Sequence, residues 1–180
     1  GVISADLSLY VDDYRAGERT FSLLTQVIVR AGRREREGRA VIQTYTPRND
    51  VILAAAEQDY DRFYDDEIRL RRLRRDPPFA DHFTLTVTGP EEEPVRRACA
   101  QCAALRQALS QESYRAMEPE VLGPAPAPVV KLNNRYRYRI TVVGQNEKPL
   151  RQLLAAYMKA FARRPEHRNM AVHTDCNLMD

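Results

Sequence analysis

Apolar and polar positions repeat with different periods along the chain, and each period predicts an element. The apolar run at residues 2–9 predicts a buried strand, the helical spacing over residues 14–31 predicts a helix, and residues 39–45 predict a second strand. Strand, helix and strand in this order form one crossover unit of a parallel sheet. Because one unit cannot cover both faces of such a sheet, residues 1–48 are expected to be the tail of a larger α/β domain.

A single long helix is predicted over residues 49–75, because Asn49 suits an N-cap and apolar residues recur along one side. Pro77 and Pro78 end the helix and mark a domain boundary. We interpret residues 49–78 as a solvated, charged linking helix. The alternative is that the five arginines at its end contact DNA backbone. They are Arg69, Arg71, Arg72, Arg74 and Arg75.

Residues 79–180 change to a mixed pattern of strands and helices. The order is strand, helix, two or three strands, helix and strand, which is typical of a small α+β sandwich with two helices on one face of a mostly antiparallel sheet. The Pro-Ala repeat after Gly123 is either an extended connection or an edge strand. The elements are predicted at residues 82–88, 91–113, 121–122, 129–132, 135–143, 150–161 and 170–174.

Composition excludes some classes of protein. No apolar run has membrane-spanning length and no secretory signal is present, which predicts a cytoplasmic protein with no membrane partner. The net charge of +3 rests on many arginines in clusters, which suits phosphate contact. Cys99 and Cys102 are expected to pack on a buried helix face, because the region lacks two further zinc ligands. We therefore predict no metal site in this chain.

Two arginines flank an Ala-Gly pair at the end of the first long helix, within the segment QVIVRAGR at residues 26–33. An arginine just past a helix end, with a glycine letting the backbone turn, can reach a polyphosphate with both of its forked nitrogens. The alternative is a basic helix C-terminus, in which Arg30 and Arg33 complement the helix dipole and Gly32 ends the helix.

Further segments give this motif a context. Together with GVISADLSL at residues 1–9 and DDYRAGERTF at residues 12–21, it resembles motifs V and VI of superfamily-two helicases, and specifically those of the PriA family of primosomal replication-restart helicases. The resemblance continues in the same order over nearly the whole chain. It is carried by IQTYTP at 42–47, DY at 59–60, FY at 63–64, EI at 67–68, PPF at 77–79, LGPAPAP at 122–128, KL at 131–132 and RYR at 135–137.

The resemblance implies that residues 1–48 end the second RecA-like helicase lobe and that residues 79–180 are the C-terminal α+β domain, joined by the helix at 49–78. The parent would be an ATP-dependent 3′–5′ DNA helicase that recognises stalled or branched forks and restarts replication by primosome assembly. Its cofactors would be ATP and magnesium, with zinc held by a module outside this chain. Because the chain has no phosphate loop and no Walker B box, we expect it to be inactive alone.

The resemblance also implies site residues. Arg30 and Arg33 would stabilise charge on the transferred phosphoryl group, Gln26 would bridge nucleotide and DNA-coupling elements, and Asp6, at the motif V position, would relay nucleotide state. The family usually has glycine where this chain has Val29. One alternative is that the change is harmless, which a helical position would allow. The other is that it weakens or abolishes ATP hydrolysis and leaves a pseudohelicase or binding module that docks fork DNA and partner proteins.

The predicted hairpin provides a second candidate surface, for DNA. Its arginines share one strand face and its tyrosines the other, so cations for phosphate and rings for base stacking would lie side by side. The alternative is that the tyrosines are core and the arginines are solvated. The family adds single-stranded DNA-binding protein and primosome proteins as partners, beside branched and single-stranded DNA. The candidate DNA-binding residues are Lys131, Arg135, Arg137, Arg139 and Tyr136.

Overall fold

The computed structural model describes residues 1–31, 39–101, 104–115 and 119–177. Within it the chain divides into two units, Gly1–Arg74 and Arg75–Asp180. The structure therefore groups residues 49–74 with the first unit, whereas the predicted division into three parts at residues 48 and 78 stays a prediction. Among the described residues, no helix is both long enough and apolar enough to cross a membrane.

The first unit is built from helices around a small aromatic and aliphatic core. The rings of Phe21 and Phe63 stack with centroids 4.3 Å apart and an interplanar angle of 14°. Leu24, Ile52 and Ala55 are buried in the same cluster. The helices are α1 (Asp6–Leu9), α2 (Ala16–Ala31), α3 (Asp50–Glu57) and α4 (Tyr60–Arg74).

The predicted strands of the first unit are reduced to one parallel bridge, between Val2 and Ile42. The prediction of a strand over residues 2–9 is wrong beyond that bridge, because Ser4 has φ of 54° and the chain then enters α1. The apolar run predicted a buried strand wrongly, because the side chains of Ile3 and Leu7 are 79% and 76% exposed. A continuous apolar run indicates a strand only where sheet neighbours and covering layers bury both faces.

The predicted long helix is two helices. Asn49 caps α3 as expected, since its Oδ1 accepts a hydrogen bond from the amide of Val51 at 3.0 Å. Gln58 then adopts the left-handed conformation, with φ of 58° and ψ of 30°, and ends α3. Asp59 caps the start of α4, since its Oδ1 accepts a hydrogen bond from the amide of Arg62 at 3.0 Å. The N-cap and the recurring apolar residues predicted helical structure here correctly but did not reveal the break.

The second unit contains a four-stranded antiparallel sheet with strand order β2-β3-β1-β4. Strand, helices, two strands, helix and strand follow one another along the chain, which is the ferredoxin-like arrangement and confirms the α+β class. The strands are β1 (Asp81–Gly89), β2 (Glu120–Leu132), β3 (Arg135–Gly144) and β4 (Ala171–Cys176). The helices are α5 (Glu92–Gln101), α6 (Ala104–Leu109), α7 (Glu112–Arg115), α8 (Lys148–Ala162) and a 3-10 turn (Pro165–His167).

Alternate residues of the two central strands form the core of the second unit with the helices, because successive side chains of a strand point to opposite faces. The helices of this core are α5, α6 and α8. The buried set includes Phe83, Leu85, Val87, Tyr138, Ile140 and Val142 from the strands, and Val95, Ala98, Cys99, Leu105, Leu109, Leu150, Leu154 and Phe161 from the helices.

β2 and β3 form the predicted hairpin. Leu132 pairs with Arg135, and the two residues between them, Asn133 and Asn134, have φ of 50° and 57°. Positive φ at both central positions is the pattern of a type I′ turn, which asparagine tolerates. β2 is an edge strand that runs through the Pro-Ala repeat, so the edge-strand alternative is the correct one for that segment.

Candidate nucleic-acid interface

Three arginines of β3 lie on the face of the sheet opposite the core. Tyr138 and Ile140 point into the core, so the residues that alternate with them point away from it. In the register, Arg137 stands opposite Thr88 of β1 and Arg139 stands opposite Thr86. We call this side of the sheet the arginine face. It consists of the half-buried Arg135, Arg137 and Arg139 together with Thr84, Thr86 and Thr88, of which Thr84 and Thr86 are buried.

Two of the three arginine charges on the arginine face, those of Arg135 and Arg137, have no carboxylate partner among the described residues. Arg135 donates from Nη2 to the backbone carbonyls of Thr88 and Asn169, both at 3.1 Å, and these acceptors are neutral. Arg137 makes no hydrogen bond or ion pair with any residue that the structure describes. The two guanidinium groups therefore keep their positive charge available for an external anion. The anion of nucleic acids is phosphate, and the forked nitrogens of arginine can bind it with two parallel hydrogen bonds.

The composition of the sequence around the hairpin also favours binding of a polyanion. Residues 121–146 contain no aspartate or glutamate, while they contain Lys131 and the three arginines of the arginine face. Asp175 of β4 stands opposite Thr84 on the arginine face, at the end away from the hairpin turn. The hairpin end of the face is therefore its most positive part.

The two hairpin tyrosines differ in their surroundings. Tyr138 is buried, and its hydroxyl donates to a carboxylate oxygen of Glu92 at 2.9 Å. This hydrogen bond, with a smaller effect of burial, raises the pKa of Tyr138. Tyr136 is half-buried, and Nζ of Lys131 lies 4.7 Å from its ring centroid. Tyr138 is therefore a core residue, and of the two rings only that of Tyr136 is partly accessible, with a cation beside it.

Two of the predicted nucleotide-site residues, Gln26 and Arg30, lie along α2. Gln26 and Arg30 are exposed and lie one helical turn apart, and Nε2 of Gln26 lies 3.4 Å from the Ser22 hydroxyl. Val29 is helical and 40% exposed, so a β-branched residue is accommodated there without backbone strain. Arg33 lies outside the described residues. The structure thus places Gln26 and Arg30 on one helix, and their roles toward nucleotide stay predictions.

Asp6 is held by the segment that follows the bridge. Its Oδ1 accepts from the hydroxyls of Thr44 and Thr46, both at 2.6 Å, and its Oδ2 accepts from the amide of Tyr45 at 2.9 Å. The hydroxyl of Thr44 contributes most, then that of Thr46, and together they hold the pKa of Asp6 far below its usual range although burial opposes the shift. Both carboxylate oxygens therefore fasten residue 6 to residues 44–46.

An ion-pair cluster in the first unit was not predicted from sequence. Arg71 donates from Nε to Glu67 at 2.8 Å and from Nη2 to Glu18 at 2.9 Å, and its guanidinium lies 5.4 Å from the ring centroid of Tyr14. Burial alone would lower the pKa of Arg71, but the two glutamates outweigh it and raise the pKa. Because Arg71 is paired with these two carboxylates, it is poorly placed to bind a phosphate. For this one arginine of α4, the pairing argues against the alternative of DNA contact.

The Arg71 cluster lies at a groove between α2 and α4. The groove has a volume of about 460 Å³ and is lined by Phe21, Tyr60 and Tyr64 besides Arg71. Sequence spacing could have indicated the Glu67–Arg71 pair, since the two lie four residues apart on a helix. It could not have indicated Glu18, which is 53 residues from Arg71.

Of the two cysteines expected to pack on a buried helix face, the structure describes one. Cys99 is buried in the core of the second unit, and Cys102 lies outside the described residues. No group of three His, Cys, Asp or Glu side chains suited to a metal ion is found in the part of the chain that the structure describes.

Comparison with known proteins gives one family. The family model described as Primosomal protein N C-terminal domain matches residues 72–177. The chain is 34% identical over 177 residues to "Replication restart protein PriA" of Bacillus subtilis (strain 168), which covers 98% of this chain and 21% of that protein. It is 39% identical over 142 residues to the protein of the same name from Synechocystis sp., covering 79% of this chain and 16% of the relative.

The matches cover both units, and the chain spans about a fifth of the length of the curated relatives. The family model covers the ferredoxin-like sheet with its arginine face, and the match to the Bacillus subtilis relative extends across α2 and the Asp6 segment as well. The chain belongs to the PriA family and carries its C-terminal domain.

Proposed function

We propose that the chain is the C-terminal part of an ATP-dependent 3′–5′ DNA helicase that recognises stalled or branched forks and restarts replication by primosome assembly. The names of its relatives support the replication-restart role. Within the chain, the observation that carries the proposal is the pair of uncompensated guanidinium groups of Arg135 and Arg137 on the arginine face. The parent would work in the cytoplasm, with ATP and magnesium as cofactors and zinc in its own separate module.

The arginine face would contribute by holding the phosphate backbone. Each arginine that contacts a phosphate displaces a condensed counterion, so affinity falls as salt rises. Such contacts fix position on DNA without reading sequence, which suits a protein that must bind forks of any sequence. Single-stranded DNA-binding protein and primosome proteins are proposed as the protein partners of the parent.

Replacing Arg137 tests this contact with little risk to the fold, because Arg137 has no partner among the described residues. In Arg137→Ala, the slope of log affinity for forked DNA against log salt should become shallower by about 0.9, the value for one lost phosphate contact on duplex DNA. Arg69→Ala on α4 is the matched control and should leave the slope unchanged. An unchanged slope in Arg137→Ala would remove the phosphate assignment.

The nucleotide role of α2 has to be tested in the full-length parent. There, Arg30 and Arg33 would stabilise the charge that develops on the transferred phosphoryl group, while Gln26 and Asp6 would couple nucleotide state to DNA. Arg33→Ala and Arg30→Ala should each lower DNA-stimulated ATP turnover by about a thousandfold, with DNA affinity nearly constant. Unaltered turnover in both variants would remove the assignment.

A second candidate function is a pseudohelicase that docks fork DNA and partner proteins without hydrolysing ATP. The departure from the family at Val29 raises it, although the helical backbone at Val29 favours the helicase. The family usually has glycine at this position, and here the residue is valine within a helix. Val29→Gly in the parent separates the two functions. If the parent hydrolyses ATP and Val29→Gly leaves the rate unchanged, the helicase is supported. If the parent does not hydrolyse ATP and Val29→Gly restores hydrolysis, the pseudohelicase is supported, with Val29 as the cause of the loss.

A further inference from the structure

The end of the β2–β3 hairpin exposes aliphatic side chains. Val129, Val130 and Leu132 are 51%, 36% and 51% exposed. They flank Lys131 within four consecutive residues, so the apolar surface lies together at the end of one hairpin. Single exposed aliphatic residues are ordinary on a protein surface, whereas a contiguous apolar group more often marks a binding site.

The backbone presents this group on a short, well-defined support. The two-residue Asn133-Asn134 turn closes the hairpin, and Leu132 and Lys131 are paired directly with Arg135 and Tyr136. Further along, residues 127–130 of β2 stand opposite the single residue Arg137 of β3, so β2 bulges at Val129 and Val130. A hairpin pinned at its turn can hold apolar side chains outward without first becoming ordered on binding.

The charges beside the apolar group identify the occupant. Arg135 is paired with Leu132 on the arginine face, while Lys131 is paired with Tyr136 on the opposite face. Within the described part of the chain, neither cation is paired with a carboxylate. Cations on both faces of an apolar edge match a duplex end, which presents an apolar base pair between two phosphate backbones.

A peptide with acidic groups would pair with the same two cations. Such a peptide site would leave base stacking in forked DNA unchanged, so the test below separates the two occupants. Unpaired bases bind mainly by stacking on exposed aromatic rings, whereas Tyr138 is buried and Lys131 lies over Tyr136.

We propose that Val130 and Leu132 form a wedge that stacks against, and loosens, the first base pair at the branch point of forked DNA, while Lys131 and Arg135 hold the phosphates of its two strands. This inference rests on the proposed binding of branched DNA. It adds a distinct claim, because the arginine face alone would hold DNA without disturbing base pairing. Apolar side chains inserted between base steps unstack and kink DNA in this manner in other proteins.

The test uses the 180-residue chain and forked DNA that carries 2-aminopurine in the base pair next to the branch. The fluorescence of 2-aminopurine rises when the base unstacks, so addition of the chain should increase it. The double variant Val130→Thr with Leu132→Thr removes apolar surface but keeps strand propensity. It should lose the fluorescence increase and bind the fork about tenfold more weakly, a loss of about 1.4 kcal/mol, while the salt slope stays unchanged because all four cations remain.

Leu122→Thr is the matched control. Leu122 is an exposed leucine of the same strand, at 47%, and it is paired with Thr141, away from the hairpin end. This variant should behave as the unaltered chain. The wedge is wrong if the unaltered chain binds the fork with a steep salt slope and leaves the fluorescence unchanged, or if the double variant retains the increase. Absence of any salt-dependent binding by the unaltered chain would instead overturn the proposed function itself.

Discussion

At the scale of single residues, local partners decide what a charged group can do. The segment around Asp6 resembles a helicase motif, and in the structure Thr44, Tyr45 and Thr46 occupy both oxygens of its carboxylate. Of the three arginines on the arginine face, Arg137 is the one that has no partner among the described residues. Residue type alone therefore did not determine which of these groups is committed to a partner and which is available.

Replacing Asp6 with asparagine should weaken the first unit in a pH-dependent way. The carboxylate has a pKa in the folded chain below its ordinary value of about 3.9, so its contribution to stability is complete above about pH 4 and is lost as pH falls further toward the folded pKa. Asp6→Asn should therefore lower the urea midpoint at pH 6 and narrow the difference between pH 6 and pH 3. Circular dichroism at the two pH values measures this.

Asp65→Asn supplies the control for the Asp6 experiment. Asp65 is exposed on α4 and makes no hydrogen bond or ion pair with the described residues, so its replacement should change neither midpoint appreciably. If Asp6→Asn and Asp65→Asn gave the same small effect at both pH values, the hydrogen bonds to Asp6 would not matter for stability.

At the scale of elements, the predictions succeeded where a periodic pattern coincided with a turn signal. The helix α2, the hairpin and the strand β1 are all of this kind, because apolar residues recur in them with the period of a helix or of a strand. The strand predicted at residues 2–9 failed, because its apolar residues are not covered within the described chain. The break at Gln58 was missed because no glycine or proline marks it.

The break between α3 and α4 leads to a stabilising substitution. Gln58 adopts a left-handed conformation that glycine reaches without the steric cost borne by other residues. Gln58→Gly should therefore raise the free energy of unfolding of the first unit by about 0.5–1 kcal/mol. Thermal unfolding followed by circular dichroism measures it. Gln58→Ala keeps the steric cost, so it should give no gain, and a larger gain with alanine would indicate one continuous helix in solution.

The layer of helices on the sheet leads to a destabilising substitution. Leu85 of β1 is fully buried in the core of the second unit. Leu85→Ala should lower the free energy of unfolding by about 2–5 kcal/mol, the range for a large core side chain replaced by alanine. Leu122→Ala, on an exposed position of β2, should change it by less than about 0.5 kcal/mol. Urea unfolding compares the two; equal losses would contradict the assigned core.

At the scale of the whole molecule, alternation along one strand predicted much of the candidate site. Arg135, Arg137 and Arg139 stand at every second position of β3, so their common face follows from the order of residues alone. The order of residues does not show which partners a side chain has in the folded protein. The ion pair of Arg71 with Glu18 joins residues far apart in sequence, and the burial of Tyr138 depends on helices that pack on its face of the sheet.

The proposed function requires that the second unit hold branched DNA through the arginine face. The most direct test measures the salt dependence of forked-DNA binding by two triple variants of the 180-residue chain. Replacing Arg135, Arg137 and Arg139 with alanine should reduce the slope of log affinity against log salt by about two to three, whereas replacing Arg69, Arg72 and Arg74 should leave it nearly unchanged. The opposite result, with the slope lost only in the α4 variant, would contradict the claim and place the DNA on the first unit.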